Sequence, residues 1–231
     1  MKMKIGIIAA MEQEAREIID HLTGLRKSVK GNQRFYEGSI EGTEIVLVQS
    51  GIGKVNAAIA TTLLIDAFKA EAVINTGSAG GIGEGLNVED LIISSELAYN
   101  DADARAFGYD FGQIPQMPPR YSSDQHLISV FKQAAGNRNW DIKEGLIVTG
   151  DSFISDKSRI LEIRDQFKDV LVTEMEGTAV AQTCYQFSIP FVVIRAVSDV
   201  ADEEASVSFE EFIEKVGKKS GETVLECISL L

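Results

Sequence analysis

The chain has 231 residues, 45% of them hydrophobic, which is enough to bury one sizeable core and too little for several large domains. Its 35 acids against 22 bases leave a net charge of −13, which argues against gripping nucleic-acid phosphates or an anionic membrane surface but not against binding a small nucleoside. Two cysteines, Cys184 and Cys227, are too few for a disulfide framework, and no apolar run approaches the roughly 20 residues of a membrane span.

The start, Met1-Lys2-Met3-Lys4 and then Ile5 to Ala10, imitates a secretory signal. Its apolar run ends at Glu12 with no cleavage pattern, so it reads as a buried first strand over 4–10 of a cytoplasmic protein. A helix over 11–22 opens with Met11-Glu12-Gln13-Glu14. An acid there gains from the helix dipole, yet Glu14 also stands at a strand end. Runs 34–40 and 43–50 pair as a hairpin around Glu41-Gly42.

Gly51-Ile52-Gly53-Lys54-Val55-Asn56 follows. It lacks the third glycine of a dinucleotide fingerprint and the spacing of a P-loop, so it reads as a tight turn that brings backbone to a ligand. Helix 54–69 has apolar positions at Val55, Ile59, Leu63 and Ala67 or Phe68. Strand 72–76 opens into Gly77-Ser78-Ala79-Gly80-Gly81, small residues against which a ribose or a flat ring can lie, or which serve turn geometry alone.

A β segment over 90–98 leads to an irregular stretch, 99–122, which holds three of the four prolines and is long enough to be functional or partner-facing. Helix 123–135 and strand 143–149 come next, then Gly150-Asp151-Ser152-Phe153-Ile154, where an aromatic and an open backbone edge suit a planar base. A core phenylalanine is the ordinary alternative. Helix 157–167, strand 170–174, helix 176–187 with Cys184 on its apolar stripe, and strand 190–197 complete the alternation. A closing helix from near Phe209 buries Phe209, Phe212, Ile213, Val216, Val224 and Ile228. The pattern predicts an α/β fold: one domain over 1–231, with a mixed sheet flanked by helices.

The densest chemistry is Glu174-Met175-Glu176 at one strand end and Arg195-Ala196-Val197-Ser198-Asp199 at the next. Strand C-termini are where open α/β sheets place ligands. Any one acid taken alone reads first as a solvated helix cap, but acids gathered at two strand ends suit hydroxyl binding and proton transfer at a sugar. Asp101, Asp103, Asp202, Glu203 and Glu204 read as solvated or capping. His21 and His126 are isolated, so neither a metal nor a cofactor is expected.

Together these blocks resemble the nucleoside phosphorylase superfamily and, within it, the 5'-methylthioadenosine/S-adenosylhomocysteine nucleosidases. The likeness runs from Ile5 through Glu12, Ser50 through Val55, Asn75 through Gly81, Thr173 through Glu176 and Arg195 through Asp202 to Ser208 through Phe212. It implies hydrolysis of the N-glycosidic bond of adenosine thioethers in methionine salvage, with Glu14 as the base toward water and Ser78 and Arg195 near it. It implies that Asp199, steadied by Ser198, protonates adenine N7, and that Met175 and Glu176 bind the ribose with Glu174 beside them. It further implies that Phe153 stacks on adenine while the Ile154 backbone reads its edge, and that Met11, Ile52, Gly80 and Phe209 line the pocket. The resemblance also implies a homodimer, in which Ala104, Phe107 and Pro115 of one subunit close the 5' pocket of the other. A phosphate-dependent purine nucleoside phosphorylase and a non-catalytic nucleoside sensor are the competing readings. A carboxylate at Glu14 repels phosphate and favours water.

Overall fold

The computed structural model describes residues 3–200 and 205–231. Asp202, Glu203 and Glu204 lie outside them. In chain order the strands are β1 (Ile5–Ala9), β2 (Thr23–Lys30), β3 (Gln33–Ile40), β4 (Thr43–Gln49), β5 (Ala72–Gly81), β6 (Leu91–Tyr99), β7 (Tyr121–Ser122), β8 (Ile142–Thr149), β9 (Val170–Glu174) and β10 (Phe191–Asp199). The helices are α1 (Glu12–Asp20), α2 (Lys54–Asp66), α3 (Gln125–Asn137), α4 (Lys157–Gln166), α5 (Gly177–Phe187) and α6 (Ala205–Leu230), with a single 3₁₀ turn at Arg105–Phe107.

The sheet is mixed. β1 runs parallel to both β4 and β5, and β2, β3 and β4 form an antiparallel ribbon at one edge. β5 is the pivot, because it also pairs in parallel with β10 and, at Gly80 and Gly81, antiparallel with β9. Since β10 pairs β6, β6 pairs β8 and β8 pairs β9, five strands close on themselves as a small barrel from which the flatter sheet extends. Closure removes two strand edges and leaves the strand ends to surround a common opening.

Both faces are covered, as the continuous apolar runs of β1 and β10 require. One core layer packs Ala57, Ala60 and Leu64 of α2 and Ala179, Val180 and Cys184 of α5 against the sheet. The opposite layer packs Ala15 and Ile18 of α1, Leu127 and Phe131 of α3, and Val224 and Ile228 of α6.

Several expectations need correction. β2 escapes a reading by hydrophobic alternation because it is an edge strand, solvent-exposed along most of its length. β5 continues through the glycines to Gly81 and β10 reaches Asp199, so those segments are strand rather than turn. α6 starts near Ala205, ahead of Phe209, and Phe209 and Phe212 are only partly buried. The buried face of α2 is Ala57, Ala60, Thr61, Leu64 and Ile65, whereas Val55 and Ile59 point outward at 70% and 43% exposure. Small residues let α2 lie close to the sheet beside Leu64 and Ile65, while Val55 and Ile59 sit on its far side. No helix among the described residues is long and apolar enough to cross a membrane.

Candidate active site

Glu14 is the third residue of α1, where its carboxylate can fold back over the helix start. Its Oε2 accepts the backbone N–H groups of Ala10 (3.0 Å) and Met11 (3.1 Å), while Oε1 accepts Ser78 N–H (2.9 Å) and Ser78 Oγ–H (3.0 Å). One side chain thus both caps a helix and borders a cavity. Glu14 caps α1 and also ties the end of β1 to β5. The approach depends on Gly77, whose missing Cβ would sit 2.7 Å from Glu14 Oε1 and 3.0 Å from Arg195 Nη1.

The second group comes from the ends of β9 and β10. Arg195 is fully buried and donates from Nη2 to Asn75 Oδ1 (2.7 Å) and to Glu174 Oε2. Glu174 also accepts Glu176 N–H (2.9 Å), Gly177 N–H (2.7 Å) and the Thr149 hydroxyl. Glu176 accepts Gly53 N–H at 2.9 Å from the turn before α2, and its Oε2 stands 3.7 Å from Arg195 Nη2. Burial, followed by the charge of Glu174, pushes the Glu176 carboxyl up to about 8, more than Arg195 and the Gly53 amide hold it down. Burial opposes the charge on Arg195, but Glu174, Glu176 and Glu14 outweigh it and hold the guanidinium pKa above its ordinary value.

Asp199 owes its aim to a bulge. The register of β10 against β5 slips between Val197 and Asp199, which pair with the consecutive residues Ala79 and Gly80. Strict alternation would send Ser198 and Asp199 to opposite faces, whereas the extra residue lets both border one cavity. Ser198 Oγ donates to Asp199 Oδ2 at 2.8 Å, and Asp199 is 1% exposed.

These groups border a cavity of about 420 Å³, which is of a size to hold a small molecule. Of the residues to which the resemblance points, Met11, Glu14, Ile52, Ser78, Gly80, Phe153, Glu174, Met175, Glu176, Ser198, Asp199 and Phe209 all border it. The Phe153 and Phe209 rings meet edge to face, with centroids 5.8 Å apart at 76°. Carboxylates suit hydroxyls and protons, while thioether and aromatic groups suit a flat ring and an apolar tail.

Three groups of expected residues lie elsewhere. Arg195 sits behind Glu174 and Glu176 instead of lining the cavity. The Ile154 side chain belongs to a core cluster with Ile82, Ala98 and Val148, which leaves only its backbone for a ligand. Ala104, Phe107 and Pro115 are absent from the cavity wall of their own chain, and Phe107 is 83% exposed. Asn75 and Thr149, which hold Arg195 and Glu174, were given no role of their own, whereas Gly53, which holds Glu176, belongs to the turn read as bringing backbone toward a ligand. Polar residues within otherwise apolar strands are the signal that Asn75 and Thr149 carry. Asp101, read as solvated or capping, accepts from Lys54 Nζ and from the backbone N–H of Asp151. Among the described residues no group of three or more His, Cys, Asp or Glu side chains is arranged to hold a metal ion.

The fold is that of the phosphorylase superfamily, whose sequence model matches residues 4–229. A 5'-methylthioadenosine/S-adenosylhomocysteine nucleosidase from Staphylococcus aureus is 51% identical over 227 residues, covering 98% of this chain and all of its own length. The nucleosidase of the same name from Neisseria meningitidis, solved with methylthio-immucillin-A, superposes with a TM-score of 0.97 at 46% identity and 99% coverage of both chains. An aspartate-to-asparagine variant of the Helicobacter pylori nucleosidase, holding 5'-methylthioadenosine in its active site, superposes at 0.96 with 33% identity and full coverage of both chains. The chain belongs to the 5'-methylthioadenosine/S-adenosylhomocysteine nucleosidase family of the phosphorylase superfamily.

Proposed function

We propose that this protein hydrolyses the N-glycosidic bond of 5'-methylthioadenosine and S-adenosylhomocysteine, and of 5'-deoxyadenosine by the same chemistry, releasing adenine and the 5-substituted ribose. The observation that carries this reading is the presence of Glu14 and Asp199 in one cavity with the Glu174–Glu176 pair. As the C1'–N9 bond breaks, electrons flow into adenine and positive charge builds on the ribose. Asp199 gives its proton to N7, so the base leaves neutral. Water adds to C1', and Glu14 takes the proton that water sheds. Glu176 receives the ribose hydroxyls, and the surrounding carboxylates stabilise the cationic sugar.

Hydrolysis is favoured over phosphorolysis by charge. The buried cation Arg195 is already engaged by Glu174, and Glu14 occupies the wall beside Ser78. A phosphate dianion would meet carboxylates there. Incubation with methylthioadenosine, with and without phosphate, tests this: free methylthioribose at equal rates in both arms is the expected result. Sugar phosphate formed only with phosphate would make the protein a phosphorylase. Tight binding without turnover would make it a sensor.

We further read residues 1–231 as one catalytic unit that works as a homodimer. Support comes from an outward apolar stripe, Ile52, Val55 and Ile59, together with Phe107, exposed at 50%, 70%, 43% and 83%. Phe107 has no cover in its own chain and suits a role in closing a partner's cavity. The unpaired, buried Cys184 and Cys227 suit a cytoplasmic setting.

A further inference from the structure

Three loops that border or flank the cavity meet in an ionic knot outside it. Lys54, at the start of α2, donates from Nζ to both oxygens of Asp101, at 2.8 and 2.7 Å, and lies 3.7 Å from Asp151 Oδ2. The backbone closes the same knot: Lys54 N–H donates to Asp151 Oδ1 at 2.8 Å, and Asp151 N–H donates to Asp101 Oδ2 at 2.9 Å. Lys54 Nζ also stands 5.3 Å over the Tyr99 ring. Asp101 and Lys54 keep only 27% and 26% of their side chains exposed, so solvent screens this pair less than a free surface pair.

Each strand of the knot leads to the cavity within one or two residues. Gly53, just before Lys54, donates its N–H to Glu176. Phe153, two residues after Asp151, lines the cavity wall. Asn100, just before Asp101, donates from Nδ2 to the hydroxyl of Thr173, another wall residue, at 2.9 Å. The loops come this close only because two residues lack side chains. A Cβ on Gly53, whose φ is +101°, would lie 3.1 Å from Asp151 Oδ1, and one on Gly150 would lie 2.2 Å from Asn100 Oδ1.

We propose that Asp101 is a positioning residue for substrate binding. Through Lys54 and Asp151 it sets the separation between the Gly53 turn, which holds Glu176 on the ribose side, and the 150–154 loop, which carries Phe153 on the base side. The role rests on the nucleoside reading of the cavity. It predicts that loosening the knot weakens binding and leaves the proton-transfer groups Glu14 and Asp199 untouched.

The test compares Asp101→Asn and Lys54→Met with wild type, using methylthioadenosine turnover and hydrogen exchange of the unliganded protein. Asn at 101 cannot offer acceptors to both Lys54 Nζ and Asp151 N–H without turning an amide donor toward one of them. Each variant should raise KM about tenfold while kcat stays within about threefold. The amides of Lys54 and Asp151 should exchange at least about tenfold faster. The double variant should be no worse than either single one, because both break the same knot. Asp165→Asn, which removes a bond to the exposed Lys168 just past the end of α4, should change neither KM nor these amides. Unchanged KM and exchange in Asp101→Asn would overturn the proposal. So would a parallel fall in kcat that tracks loss of folded protein. A wild-type protein that releases no adenine would overturn the assigned substrate instead, and the exchange rates would then decide the knot by themselves.

Discussion

Glu174 and Glu176 face the same guanidinium from different distances: Glu174 is hydrogen-bonded to Arg195 Nη2, whereas Glu176 stands 3.7 Å from it. The near acid is enclosed by N–H and O–H donors and is the natural counter-ion of Arg195. The far one accepts Gly53 N–H and is left to take the proton that a crowded set of carboxylates must hold. Two acids two residues apart thus do different work.

That difference makes the stability of the fold depend on pH. Burial and the neighbouring Glu174 raise Glu176 from its ordinary 4.5 to about 8. Between these values the folded protein keeps a proton that the unfolded chain has lost, so the contribution of Glu176 is fully present below 4.5 and is lost as pH rises toward 8. Glu176→Gln removes this dependence. Its melting temperature relative to wild type should therefore climb steadily from pH 5 to pH 8, even as ribose binding fails. A gap that stays constant across that range would show that Glu176 ionises as an ordinary carboxyl does.

Glu14→Gln should abolish hydrolysis while the nucleoside still binds. The amide cannot take a proton from water, and its NH₂ must face either the Ala10 and Met11 amides or Ser78, each of which donates to Glu14 now. The mismatch should also cost about 1–3 kcal/mol of stability. Retention of more than about a tenth of wild-type kcat would place the base elsewhere.

Asp199→Asn keeps its size and can still accept from Ser198, but it cannot transfer a proton. General acid catalysis is worth about 10²–10⁴ in rate. With adenine a poor anionic leaving group, kcat should fall by about a thousandfold or more with KM little changed. A substrate whose base leaves without N7 protonation should be cleaved by the variant at a near-normal rate. If that rescue fails and binding is lost, Asp199 is a positioning residue and the acid is Glu174 or Glu176.

Gly77→Ala tests the contact that seats Glu14. The added methyl would press on Glu14 Oε1 and Arg195 Nη1, at 2.7 and 3.0 Å, and both are held on other sides. A shift of even about 1 Å in the base should lower kcat about a hundredfold. Circular dichroism should still report the folded α/β pattern. Wild-type kcat in this variant would mean that Glu14 has slack that its hydrogen bonds do not suggest.

Phe107→Ala separates the dimer reading from a single-chain site. At 83% exposure the ring contributes little to its own chain, so stability should change by less than about 0.5 kcal/mol. KM should nevertheless rise, and more so for substrates with a long 5' substituent. A stable monomer at micromolar concentration with full activity would sink the dimer.

Most of what defines this protein could be read from its sequence, because the determining signals are local. Continuous apolar runs announce strands covered on both faces, and acids or glycines just past each run mark the strand ends. Glu14, Glu174, Glu176 and Asp199 were legible for that reason, and so was the alternation that makes an α/β sheet. Long-range pairing was not legible. The closure of β5, β10, β6, β8 and β9 rests in part on register between segments more than ninety residues apart, and one-dimensional periodicity carries no record of it. β2 was missed because an exposed edge strand has no buried face to pattern. The outward turn of Val55 and Ile59 was missed because apolar spacing cannot say which side of a helix faces the core. Only the tertiary structure decided the division of labour among the acids. It packed Arg195 against Glu174 and set Glu176 farther off, and it used a one-residue bulge to turn Ser198 and Asp199 into the same cavity. Donor geometry and burial make that choice, and both exist only once distant strands have met.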